Sequence, residues 1–131
     1  MSYSLRIYPD QHLVTVVFEG DVTIGELVQV DDEISDHPEY QISFCGVFDF
    51  RQSRKMYSPR DLAQLKNKGT TRNAEKGKWC SLNSTPRETS LAELFKVKRG
   101  IIHPFEVFST VDAASFFLQM DLSEYLEEGD Y

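Results

Sequence analysis

Cysteine is scarce in this chain of 131 residues: only Cys45 and Cys80 are present. They form no Cys-x-x-Cys unit, which argues against a zinc knuckle or a dithiol redox motif. Each lies in an apolar stretch, Ser43 to Val47 and Lys78 to Leu82, where a reduced thiol behaves as a small buried hydrophobe. Histidine is equally sparse. His12, His37 and His103 stand apart from one another and from the cysteines, so neither a metal nor any other cofactor is expected. Long hydrophobic runs are also missing. No stretch approaches the roughly 20 apolar residues of a membrane span, and the opening Met-Ser-Tyr-Ser-Leu-Arg has no signal-peptide core, so a soluble, cytoplasmic protein is expected. There is no internal repeat or low-complexity linker, and no nucleophile, base and orienting group fall at a catalytic spacing.

Positive charge is missing from most of the chain. Of 14 Lys and Arg residues, only Arg6 lies outside positions 51–99. That segment holds 13 basic and 4 acidic residues, net +9, while the flanks together hold 17 acidic and one basic, net -16. The overall -7 counts against nucleic acid as a partner, since phosphate is repelled unless the basic residues gather on one face. A solvated loop and helix surface is the simplest account of the basic segment. It could instead dock an acidic protein, a phosphorylated ligand or an anionic lipid surface, or be neutralised by the acidic flanks within one subunit or across a homodimer.

What is abundant is apolar area. Nine Phe, six Tyr and one Trp, with many Val, Leu and Ile, suffice for the core of one domain and exclude a disordered chain. Leu5 to Tyr8 and Leu13 to Glu19 have strand patterning and flank Tyr8-Pro9-Asp10-Gln11, which predicts an N-terminal hairpin. Thr23-Ile24-Gly25-Glu26 is a capping box. Ile24, Leu27, Val30 and Ile34 follow at helical spacing until His37-Pro38 ends the helix. Phe44 to Phe50 is almost continuously apolar, the pattern of a central strand covered on both faces. Ser58-Pro59-Arg60-Asp61 opens a short helix expected to run to about Lys68, stopped by Gly69. Trp79 to Leu82 is a short strand, expected to be less buried because Lys78 and Asn83 flank it. Thr85-Pro86-Arg87-Glu88 opens a third helix ending at Gly100. Phe105 to Phe108 is the last strand, and Ser109-Thr110 caps a helix with Val111, Ala114, Phe117 and Leu118 on one face. Alternating strands and helices imply crossover units, so the prediction is an α/β domain over 1–120: a five-stranded mixed sheet, an N-terminal hairpin and about four helices, followed by an acidic tail over 121–131.

Three stretches carry a resemblance: His12 to Thr23, a strand, glycine turn and helix cap; Gly46-Val47-Phe48-Asp49-Phe50-Arg51, a central strand ending in an acid and a base; and Phe105 to Ala114, a strand that runs into the last helix. Together they span most of the chain from Leu5 to Leu118. The chain resembles the SpoIIAA-like family, which shares the STAS fold of sulphate transporter and anti-sigma factor antagonist domains. The resemblance implies a non-enzymatic regulatory or signalling module that acts by binding a partner protein. In the anti-sigma antagonists a phosphorylatable serine in an Asp-Ser-Ser-Gly type element follows the central strand. Here Asp49 is followed by Phe50-Arg51-Gln52-Ser53, so that switch does not carry over.

Six residues are candidates for binding. Asp49 and Arg51 alternate on one strand and can face one pocket at the strand end, where open α/β sheets place ligands. They would serve either as a ligand or catalytic pair or as a structural ion pair. Ser58 is the nearest positional counterpart of a switch serine, with Arg51, Arg54 and Arg60 close enough in sequence to attract a phosphate; a plain helix cap is the alternative. Arg54, Lys55 and Arg60 belong to the basic docking surface. The rings of Phe44, Phe48, Phe50, Phe105, Phe108, Phe116 and Phe117 exceed what a small sheet must bury, and some could line a cavity for a small apolar or amphipathic ligand.

Overall fold

The computed structural model describes residues 2–63, 76–98, 101 and 103–126. The protein is α/β, with β1 (Tyr3–Tyr8), β2 (Leu13–Val22), β3 (Cys45–Lys55), β4 (Trp79–Leu82) and β5 (Phe105–Phe108), and α1 (Ile24–Asp36), α2 (Pro59–Ala63), α3 (Pro86–Lys98) and α4 (Val111–Leu118). The five strands lie side by side in sequence order, β1 antiparallel to β2 and every later pair parallel. A 3-10 turn over Pro9–Gln11 closes the hairpin, and His12 after it takes the left-handed conformation at φ 54°.

Strand order fixes the layers. Three successive crossovers stepping the same way across a sheet place their helices on one face when each is right-handed. The core divides accordingly. Val14, Val16, Phe18, Phe50, Trp79 and Phe105 pack beneath α1, α2 and α3 through Leu27, Val30, Ile34, Leu62 and Leu91. On the opposite face Leu13, Val47, Cys80 and Leu82 are covered by Val111, Ala114 and Leu118 of α4 and by Leu122 and Leu126. The sheet is therefore covered by three helices on one side and by one helix and its C-terminal extension on the other.

Local signals explain most element ends. Thr23 accepts from the Glu26 amide at 3.3 Å, and Glu26 reciprocally accepts from the Thr23 amide at 3.0 Å, completing the capping box. Thr110 caps α4 through the Ala113 amide at 3.1 Å. Three expectations differ from what is found. β4 is buried along its whole length, since it pairs with β3 on one side and β5 on the other. β3 runs on through the basic Arg51–Lys55 stretch instead of ending at Phe50. The proposed boundary at residue 120 cuts through packed structure, because Leu122 is fully buried and Leu126 nearly so. The continuation of α2 towards Lys68, the stop at Gly100 and positions 127–131 of the acidic tail lie outside the described residues.

The long β3 contains one irregularity with large consequences. Val17 pairs with Asp49 but Glu19 pairs with Gln52, so β3 holds one extra residue around Phe50 and Arg51, a β-bulge. Because side chains alternate between faces, one inserted residue exchanges the face of everything after it. Lys55, which strict alternation would put on the α4 face with Asp49, instead lies over the Phe50 ring on the three-helix face, 4.4 Å from its centroid.

Candidate functional site

Asp49 and Arg51 do meet, and they meet each other. Arg51 Nε donates to Asp49 Oδ1 at 2.9 Å and a terminal guanidinium nitrogen donates to Oδ2 at 2.8 Å, while the Arg51 amide adds a third bond to Oδ1 at 3.0 Å. The side chains are 1% and 8% exposed. A bidentate pair so deeply buried occupies both carboxylate oxygens and closes the sheet at the bulge.

Lys55 is corrected from a surface residue to a core one. At 1% exposure it cannot dock a partner. Its ammonium donates to Asn83 Oδ1 and, at 2.7 Å, to the Glu88 carbonyl. Its backbone amide donates to Glu88 Oε1 at 2.9 Å. Arg87, at the start of α3, donates to the Lys55 carbonyl at 3.1 Å and to the Tyr57 carbonyl at 3.3 Å. These bonds tie the end of β3 to the end of β4 and the first turn of α3. Burial lowers the Lys55 pKa to about 8, with Arg87 acting in the same direction and Glu88 opposing. Burial also raises the Tyr57 hydroxyl above its usual value.

Ser58 caps α2. Its Oγ accepts from the Asp61 amide at 3.3 Å, and Asp61 Oδ2 accepts from the Ser58 amide at 2.8 Å, a reciprocal box. With a carboxylate against its hydroxyl, Ser58 is a poor place for a phosphate. Of the six candidates only Arg54, Ser58 and Arg60 are exposed. Other cations of the segment are engaged locally: Lys78 lies 5.6 Å from the Phe117 ring centroid, and Lys96 lies 3.9 Å from Glu106. Lys66, Lys68 and Arg72 fall outside the described residues.

Where the rings gather, little space is left. Leu27, Asp31, Phe48, Phe95, His103 and Phe105 are among the residues around a cavity of about 30 Å³ beside Trp79. That is the space of about one water molecule and well short of a metabolite. Trp79 itself is packed against Gly46, where a Cβ would come within 2.4 Å of its ring. Its Nε1 has no hydrogen-bond partner among the described residues. His103 is buried at the edge of this cavity, and desolvation, reinforced by Lys76, lowers its pKa to about 4. Phe116, one of the rings in excess of what the sheet must bury, is 87% exposed on the outer side of α4.

Among the described residues, no three or more His, Cys, Asp or Glu side chains come together to hold a metal ion, and no helix is long and apolar enough to cross a membrane. Nothing in the sequence marks Asn83, Arg87 and Glu88 as partners of Lys55, because their convergence depends on the bulge. Fold and site together define a single-sheet α/β protein in which the buried Asp49, Arg51, Lys55 and Glu88 are bonded within the protein. Compared with known proteins, the chain matches no family model and no curated protein.

Proposed function

We propose that this protein is a non-enzymatic interaction module of the SpoIIAA/STAS-like type, which docks an acidic protein partner at the C-terminal end of β3 and the start of α2. The observation that carries the reading is the division of labour among the charges there. Asp49, Arg51, Lys55, Glu88 and Asp61 are bonded internally, whereas Arg54 and Arg60, which flank Met56 in the sequence, are exposed, as is Met56 at 49%. An exposed apolar residue flanked by two arginines suits an acidic surface with an apolar centre, since interfaces favour Met and Arg over Lys.

Capture of partners from lysate by the tagged chain, at low and then raised salt, tests this. The wild type should retain a partner that is released as salt rises, and the Arg54→Glu/Arg60→Glu variant should lose it with an unchanged melting temperature. A partner held equally by wild type and variant would refute the docking role of these arginines.

A further inference from the structure

On the face covered by α4, the helix reaches only part of the sheet. Beside it, over β1, β2 and the stretch of β3 after the bulge, lies an open groove of about 190 Å³, walled by Val17, Tyr125 and Leu126 and carrying Arg6, Thr15, Glu19 and Gln52. We propose that this groove binds a small organic acid with a hydrogen-bond donor at its far end.

Three observations point there. Thr15 is 1% exposed, lines the groove and has no side-chain hydrogen bond among the described residues. The hydroxyl is not among the buried unpaired atoms, so the little surface that Thr15 exposes opens to the groove, where it can bond to something seated above it. Arg6, Glu19 and Gln52 likewise make no side-chain bond or ion pair among the described residues, although both charges border the same groove. Arg6 is also the one cation of the acidic flanks. The volume exceeds the roughly 150 Å³ of a cavity that takes up benzene, so the space suits a ligand of that order.

Register orients the ligand. Arg6 pairs directly with Thr15, so guanidinium and hydroxyl serve one end of the groove. Glu19 lies four residues further along β2, about 13 Å at 3.3 Å per residue, and serves the other end with its register neighbour Gln52. A carboxylate would lie against Arg6 and Thr15, its apolar body against Val17, Tyr125 and Leu126, and a hydroxyl or ammonium against Glu19. The bulge is what makes this arrangement: it turns Gln52 towards the groove and takes Lys55 away from it.

The probes are 4-hydroxybenzoate, benzoate, phenol and inorganic phosphate, titrated into the full ¹⁵N-labelled chain and followed by amide shifts. 4-Hydroxybenzoate should move the amides of Thr15, Val17 and Gln52. Phenol, lacking the carboxylate, and benzoate, lacking the donor, should each bind about tenfold more weakly, the effect of one charge-assisted hydrogen bond. Arg6→Gln should erase the preference over phenol and Glu19→Gln the preference over benzoate. Thr15→Val, close in shape, should weaken 4-hydroxybenzoate without loss of fold. The proposal is overturned if those amides do not respond at millimolar probe, if both preferences persist in the two charge variants, or if phosphate binds as well as 4-hydroxybenzoate.

Discussion

A buried ammonium is costly unless its protons are bonded, and at Lys55 they are shared among Asn83, the Glu88 carbonyl and the face of Phe50. The remaining desolvation lowers its folded pKa to about 8 from an ordinary 10.5. Between those values the unfolded chain binds the proton and the folded chain does not, so this group makes stability rise with pH across the window. The thiols of Cys45 and Cys80 and the hydroxyls of Tyr3 and Tyr40 are shifted upward by burial and act in the opposite sense at high pH, but equally in wild type and in a Lys55 variant. Urea unfolding of wild type and Lys55→Met at pH 8 and pH 10 isolates the lysine. The wild type should gain about 2 kcal/mol relative to the variant over that interval. Parallel pH dependences would mean that the ammonium is solvated.

Individual elements were legible wherever a local rule decides them. The Thr23 and Ser58 caps, the Pro38 stop and the Pro9 turn are short-range chemistry, and each element boundary near them falls within a residue or two of expectation. The bulge in β3 was not legible, because nothing in Phe50-Arg51-Gln52 marks an inserted residue; it becomes visible only against the register of β2. From it follow the errors on Lys55 and on the length of β3. The burial of β4 was missed for a related reason. Asn83 reads as a surface residue by type, yet it is fully buried as an acceptor for Lys55. At Gly46 the requirement is steric, since the β4 indole occupies the place of a side chain. Gly46→Ala should cost about 1–3 kcal/mol by overpacking, read as a lower urea midpoint with an altered near-ultraviolet signal from Trp79. An unchanged midpoint and spectrum would mean that the β3–β4 pair shifts apart freely.

For the molecule as a whole, the basic segment does not form one continuous charged surface among the described residues: folding places an ion pair at Asp49, a buried ammonium at Lys55, a ring contact at Lys78 and exposed guanidinium groups at Arg54 and Arg60. The C-terminal flank is likewise more than charge. With one helix on that side of the sheet, Leu13, Val47 and Leu82 depend on the residues after α4, and Leu122 and Leu126 supply the cover. Ser115 Oγ accepts from the Leu122 amide at 3.0 Å and anchors the extension to the helix. Fully burying a leucine stabilises by about 1.5–3 kcal/mol, and the cavities left by truncation add to the loss, so Leu122→Ala/Leu126→Ala should cost about 4–8 kcal/mol. Domains of this size are stable by about 5–15 kcal/mol, which places the double variant at the edge of unfolding. Ending the chain at Met120 should be at least as damaging. Circular dichroism melts of the three proteins provide the measurement. A truncated chain as stable as wild type would show that α4 alone covers this face, and the groove beside it would then lack the wall that Tyr125 and Leu126 give it.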